Sequence, residues 1–541
     1  MLGIVKRLLY TRWLLFRGGQ LSRNKRYADA VAYYRRLAEL APKRAYAHCS
    51  LARCLWECGR YGEAIPPLER ALRINPVYGA AHGFLGLVRR ELGQYRDAAD
   101  SLRRAIRIEN VPRRRGVADY WRDALASVLE KLNDWEGAAE TYRSGIVNRP
   151  DVVRFCKLAR AYVESNRAQD ALKACEKARE LFPKDTQVLS HLAWVCNRLE
   201  RYPEAEAHYR RAIQLGLRNA QAYQGLGVAH AQQKNFQSAV DAYICSIELN
   251  QNDASTYFNL GLAYGEIKES QKAIDAYTKA VALDCSDADV YFNMGVAYDE
   301  LDQSEDSIEC YRKAVEIDPS HDLAWSNLAI AVSETGHDEK AVECWHSFLA
   351  LQPKDARAWV SLSLAFGRLK RYREALEAAQ EAAILQPNEP SVHYNVGYCH
   401  CRLEEFERAV PPIQRSLELQ PDNADAHDLL GCAYSGLGKP GRAMYEFCEV
   451  LRLNPDYLAA WAQLGCELAK IGQQPEAYVC LNHTLGREPK SVFERYSLGI
   501  LQLELGHFEA AIQHLRVLET LDTVAAEELQ KEIHAHKKPE D

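Results

Sequence analysis

No stretch of this 541-residue chain has the eighteen or so consecutive apolar residues that a membrane-spanning helix needs. It also lacks a Gly-x-x-x-x-Gly-Lys-Ser/Thr phosphate loop, a His-Glu-x-x-His zinc helix and a nucleophile elbow, and GLGKP at 436–440 reads as a turn between two helices. Strand–helix alternation is missing too, so nothing points to a nucleotide-binding sheet. These absences argue against an enzyme. Cysteine is not scarce, but the sixteen thiols fall mostly singly over residues 49–480 of a long chain, which suits reduced thiols in a cytosol-like compartment better than a secreted disulfide scaffold. The one metal-like cluster is Cys399, His400 and Cys401 with His393 nearby. On a helix, residues two apart point to different faces, and no second pair follows at zinc spacing, so neither metal nor cofactor is expected.

What the chain does have is a period. Pro42 and Pro76 are 34 residues apart, Pro183 and Pro319 four times that, and Pro353, Pro387, Pro421, Pro455 and Pro489 follow at steps of 34. With proline at position 32, fifteen units start at Thr11, Ala45, Gly79, Asp119, Val152, Thr186, Ala220, Ala254, Ala288, Asp322, Ala356, Pro390, Ala424, Leu458 and Val492. Positions that played no part in setting the phase confirm it. Position 8 is Gly, Ala or Ser in every unit, and position 20 is Ala in all but one, where Ser307 stands. Two antiparallel helices per unit, crossing so closely that only a small residue fits, account for both, since a larger side chain there would cost about 1 to 3 kcal/mol in overpacking. Apolar residues at positions 4, 7, 11, 24 and 27 supply the stripe shared between neighbours. A turn at position 15, often Gly, ends the first helix, and the proline ends the second.

The pattern resembles the tetratricopeptide repeat family, with an aromatic at 4, Leu-Gly at 7 and 8, Tyr at 11, Ala at 20, an aromatic at 24, Ala at 27 and Pro at 32. Tyr257, Leu260, Gly261, Tyr264, Ala273, Tyr277 and Ala280 match it in one unit. The resemblance covers residues 11 to about 525 and implies an all-α fold, a right-handed α-solenoid of antiparallel helix pairs whose first helices line the concave face. The expected divisions are a basic and apolar extension (1–10), units one to three (11–112), an Arg-rich inserted loop (113–118), units four to fifteen (119–525), and a capping helix with a polar tail (526–541).

Function must then be sought on the surface of the solenoid. Asn259, Asn293, Asn327 and Asn395 recur at position 6. A carboxamide both donates to and accepts from a peptide backbone, so a file of them suits an extended segment of any sequence. The resemblance implies the same role for Asn at this position. Phe258, Phe292 and Tyr394 at position 5 stand beside the file as candidate walls for side-chain pockets. The Lys and Arg pair that chaperone adaptors of the family use on a terminal carboxylate is absent from these units.

Charge is divided unevenly along the chain. Residues 1–118 hold 24 Lys and Arg against 9 Asp and Glu, a net of +15, and the remainder holds 44 against 65, a net of −21. Arg12, Arg53, Arg90, Arg113, Arg114 and Arg115 mark a candidate patch for an acidic partner. The start, MLGIVKRLLYTRWLLFRGG, carries Lys6, Arg7, Arg12 and Arg17 with no acid before Asp29, which resembles a transit peptide or membrane-surface helix, although from Thr11 onward it fits the first repeat. The reading that follows is a non-catalytic, cytoplasmic scaffold or adaptor holding peptide segments of one or more proteins, with head-to-tail self-association as a further possibility. Two alternatives stand beside it: a peripheral adaptor docked through the Arg-rich third on anionic membrane or nucleic acid, and a substrate-recognition subunit for a separate enzyme.

Overall fold

Thirty-four residues between prolines leave room for two helices of three to four turns and two tight corners. The computed structural model of the chain describes residues 2–111, 115–284 and 286–536, and among these it has thirty-one α-helices and no strand. Two compact units divide the chain, Met1–Cys285 and Ser286–Asp541. The first contains α1 (Leu2–Arg23), α2 (Tyr27–Leu40), α3 (Ala45–Glu57), α4 (Tyr61–Ile74), α5 (Gly79–Glu91), α6 (Tyr95–Glu109), α7 (Arg115–Lys131), α8 (Trp135–Asn148), α9 (Val152–Glu164), α10 (Ala168–Leu181), α11 (Thr186–Arg198), α12 (Tyr202–Gln214), α13 (Ala220–Gln232), α14 (Phe236–Leu249), α15 (Ala254–Glu266) and α16 (Ser270–Ala282). The second contains α17 (Ala288–Asp299), α18 (Ser304–Ile317), α19 (Asp322–Glu334), α20 (Asp338–Leu351), α21 (Ala356–Arg368), α22 (Tyr372–Leu385), α23 (Pro390–Arg402), α24 (Phe406–Leu419), α25 (Ala424–Gly436), α26 (Pro440–Leu453), α27 (Leu458–Lys470), α28 (Gln474–Arg487), α29 (Val492–Glu504), α30 (Phe508–Leu521) and α31 (Thr523–His536). Within each unit, helices pack on the next one or two along the chain, which is the one-dimensional stacking of a solenoid.

Thirteen of the fifteen first helices begin at the residue given by the 34-residue register. The two exceptions correct the expected boundaries. α1 runs from Leu2, so residues 2–10 are not a separate extension but the opening turns of the same helix, which no proline interrupts. α7 begins at Arg115, so residues 115–118 are helical rather than looped; Gly116 costs a helix only about 1 kcal/mol, and Ala118 behind it is fully buried. Arg113 and Arg114 lie outside the described residues. At the far end the capping helix starts at Thr523, a few residues early, because the Asp522 carboxylate accepts from the Val524 and Ala525 N–H groups and sets its first turn.

The seam between paired helices is uniform. The residue at position 20, from Ala30 through Ser307 to Ala511, has no exposed surface in any of the fifteen repeats. One turn further along the same helix is the side chain at position 24, buried in every repeat: Tyr34, Tyr142, Tyr243, Tyr311 and Phe447 are examples, each contributing roughly 2 to 3 kcal/mol by its burial. The ring lies against position 8, where a Cβ added to Gly295 would stand 2.7 Å from Tyr311 Cε1. Buried contacts run on from repeat to repeat, as in the cluster from Leu87 to Ala242.

The corners obey equally local rules. All fifteen residues at position 15 have positive φ, yet only six are Gly; Lys370 (59°) and Glu404 (60°) adopt the left-handed conformation that ends a helix despite their side chains. Asp185, Asn219, Asp253, Asp287, Asp355 and Asn423 precede first helices and accept from first-turn N–H groups. Proline at 32 also has a partner six residues on. The Nε1–H of Trp325, Trp359 and Trp461 donates to the carbonyls of Pro319, Pro353 and Pro455 at 2.9 to 3.0 Å, and His48, His82, His393 and His427 bond the equivalent carbonyls.

Candidate peptide-binding face

With positions 3, 7 and 8 of a first helix turned to the packing, positions 2, 5, 9, 12 and 13 share the side left over, and position 6 lies at its edge. In the first unit α9, α11, α13 and α15 bring these positions around a recess of about 720 Å³. Its walls include Arg160, Trp194, Asn197, Arg198 and Gln224, with Asn259 on its border and buried Tyr209 beneath. Asn197 Nδ2 donates to the Gly225 carbonyl at 2.8 Å, while its Oδ1 is buried without a partner. Gln224 Nε2 donates to Ser255 Oγ at 2.8 Å, which ties α13 to α15. Burial holds the His191 imidazole below its ordinary pKa. The recess therefore offers amides, two guanidinium groups, the Glu164 carboxylate and an indole, groups of the kind that can hold a peptide.

The residues expected from sequence fall into different surroundings. Asn259 borders this recess, whereas Asn293, Asn327 and Asn395 belong to the second unit. Asn293 Nδ2 donates to the Asp289 carbonyl of its own helix at 2.7 Å, and Asn327 Nδ2 donates to the Tyr311 hydroxyl at 3.3 Å, so part of their capacity is already used. Asn395 is half-buried. The position 5 rings lean on other rings: Phe258 on Tyr277 (centroids 6.0 Å), Phe292 on Tyr311 (5.9 Å) and His321 (4.9 Å), and Tyr394 on Tyr398 (6.5 Å). They are walls more than open pockets. Ser361, which interrupts the Asn file, lines a separate recess of about 670 Å³ with Arg357, Gln386 and Asn388. In the repeat after Tyr394, Asp428 holds position 5. Its Oδ1 is buried without a partner, and burial, reinforced by Asp425, pushes its carboxyl up to about 6.

Sequence reasoning missed Arg160, Trp194, Asn197 and Arg198. The signal was there, since positions 9, 12 and 13 lie one and two turns beyond position 5 on the same side of the helix.

Of the arginine patch, Arg12 is exposed on α1, Arg53 donates to Ser22 Oγ at 2.6 Å, and Arg90 pairs with Glu91 at 2.6 Å, while Arg113, Arg114 and the side chain of Arg115 lie outside the described residues. The members of the metal-like cluster have other partners: His393 is engaged with Pro387, His400 Nδ1 lies 2.9 Å from Glu405 Oε2, and burial pushes the Cys399 and Cys401 thiols up to about 11. Among the described residues no group of three or more His, Cys, Asp or Glu could hold a metal ion, and no helix is long and apolar enough to cross a membrane.

Tetratricopeptide repeat family models match residues 21–79, 84–153, 156–217, 198–244, 254–284, 288–321, 326–390, 362–424 and 424–457, well over half of the chain. The chain belongs to the tetratricopeptide repeat family. Among proteins sharing these repeats, it is 26% identical over 103 residues to Tetratricopeptide repeat protein 8 of Caenorhabditis elegans, a match covering 19% of this chain and 20% of that protein. It is 38% identical over 56 residues to the Cell division cycle protein 16 homolog of Homo sapiens, covering 10% of this chain and 9% of that one. The matches thus span a fifth or less of these curated relatives. The crystal structure of the APC/C hetero-tetramer Cut9-Hcn1 is similar over 85% of this chain and 96% of that one, at 14% identity and a TM-score of 0.33. The helix pairs described above are this chain's tetratricopeptide repeats.

Proposed function

We propose that the chain is a non-catalytic protein-interaction scaffold that takes an extended segment of a partner protein into the recess formed by α9, α11, α13 and α15. The observation that supports this most directly is Asn197: it lines the recess with its carboxamide held by Gly225, and its covered Oδ1 has no hydrogen-bond partner in the chain, so a small turn of the side chain would bring an unused acceptor to the N–H of a bound backbone. Trp194 gives such a segment an apolar wall, and Asn259 continues the amide file along its border. Peptides displayed as a random library and selected on the full chain test the proposal. Enriched peptides should bind at least about tenfold more weakly to a Trp194→Ala/Asn197→Ala variant of unchanged helicity, the loss expected for a buried anchor and its hydrogen bond. Failure to enrich, or enrichment indifferent to these substitutions, would overturn it.

A further inference from the structure

The first helix has an uncovered apolar face. Towards α2 it buries Thr11, Leu14, Gly18, Leu21 and Ser22, and on the same side Arg7 Nη2 donates to the Leu40 carbonyl at 2.8 Å. The opposite side exposes Leu9 (60%), Trp13 (48%) and Phe16 (63%), with Leu8 and Tyr10 beside them. At 100° per residue, Leu9, Trp13 and Phe16 fall within about 60° of arc, with Lys6 adjoining and Arg12 and Arg17 on its two flanks. Trp13 stacks on Tyr10 (centroids 5.8 Å) and leans on Tyr33 (5.7 Å), so its ring is held in place.

Trp13 stands at position 3, which every later first helix of the same unit buries: Ala47, Ala81, Trp121, Arg154, Val188, Ala222 and Thr256. Apart from the contact of Trp13 with Tyr33 at its edge, α1 thus exposes a packing face that no described helix of this chain covers. α31 exposes Glu527, Glu528, Lys531 and Glu532, whereas α1 presents aromatic and aliphatic side chains between bases.

The charge selects the occupant. α1 carries Lys6, Arg7, Arg12, Arg17 and Arg23 and no acid. A second copy of α1 would set like charges against each other, and the outer side of α31 has acids but few apolar groups to meet Trp13 and Phe16. An anionic lipid surface supplies both needs. Its headgroup boundary accepts Trp, Tyr, Leu and Phe, while flanking Arg and Lys reach the phosphates. We propose that α1 is a docking helix that lies in the plane of an anionic membrane surface, inserting Leu9, Trp13 and Phe16 and pairing Lys6, Arg12 and Arg17 with lipid phosphates. This assigns a surface separate from the peptide recess and does not rest on it.

Flotation of the full chain with phosphatidylcholine vesicles, with and without roughly 30% phosphatidylserine, tests the assignment. Binding is expected on the anionic vesicles alone and should be lost in high salt. Trp13→Ser/Phe16→Ser and Arg12→Glu/Arg17→Glu should each weaken it at least about tenfold, and their circular dichroism should match that of the parent chain because all four residues are exposed. No binding at low salt, or binding that both variants retain, overturns the proposal. So does light scattering showing that these substitutions dissociate a dimer while lipid binding is absent, which would give the face to a second copy.

Discussion

The seam between paired helices and the free side of the first helices belong to the same residues' neighbours, yet they vary in opposite ways. At the seam, position 20 is fully buried fifteen times out of fifteen and differs by one hydroxyl. On the free side, position 5 is Gln224, Phe258, Phe292, Val360, Tyr394 or Asp428 according to the repeat. Close packing leaves one solution at the seam, because a displaced ring has nowhere to go. Water accommodates many on the free side, so choice of partner can be written there without disturbing the fold.

The hardest test of that contrast is a seam residue in a repeat whose free side is also of interest. Gly295→Val should destabilise the second unit by about 3 kcal/mol or more, read as a lowered urea midpoint, since Tyr311 is fully buried and cannot swing away. Its hydroxyl donates to Asp299 Oδ2 at 2.6 Å and accepts from Asn327, so the outer end of the ring is held by two hydrogen bonds. Valine is more informative than alanine, because Ala126 and Ala193 already face Tyr142 and Tyr209. A midpoint unchanged by Val would show that the seam tolerates more than its uniformity implies.

Asp428 tests where seam ends and free side begins, because it sits at position 5 but has a buried, unpartnered oxygen. The titratable groups around it are Asp425, Tyr394, Tyr457 and Cys432. Its carboxyl is raised from 3.8 to about 6 in the folded chain, so its favourable contribution is present below the unfolded value and lost as pH rises through about 6. Hydrogen exchange in α25 should therefore quicken between pH 4 and 7 beyond the intrinsic rate, equivalent to about 2 to 3 kcal/mol of lost protection. Asp428→Asn should flatten that dependence; an identical profile in the variant would show that Asp428 is not its source.

The same division decides how much could be read from sequence. Helix pairs, thirteen of fifteen first-helix starts, the small seam residues and the prolines were legible because each repeats at a fixed step and physics allows few substitutes. The ends were not: α1 and α7 extend beyond their units because nothing in Leu2–Thr11 or Arg115–Asp119 stops a helix, a fact about what is missing rather than about the period. The recess was half legible. The amide file drew attention to Asn259, while Trp194 and Asn197 occur without repetition and gain meaning only when α9 to α15 are placed side by side. Replacing Asn259, Asn293 and Asn327 together by Ala, against Trp194→Ala/Asn197→Ala, separates the two. A peptide held in the recess should lose about tenfold or more with the second pair, and less with the first set, of which only Asn259 borders it.

The smallest effect lies at the corners, where seam and free side meet. Position 15 is left-handed in every repeat, and where it is not Gly the helix end carries a conformational cost. Lys370, at φ 59°, has a side chain that the corner does not require. Lys370→Gly should therefore raise the urea midpoint of the second unit slightly, by at most about 1 kcal/mol, and leave peptide binding by the first unit unchanged. The reciprocal change Gly336→Lys, at φ 78°, should lower the midpoint by a similar amount. Two changes of equal size and opposite sign would show that the corner is read by backbone conformation alone, as the variety of residues found there requires. If both lower stability, the lysine makes a contact that outweighs its backbone cost, and corners would belong with the variable surface instead of the seam.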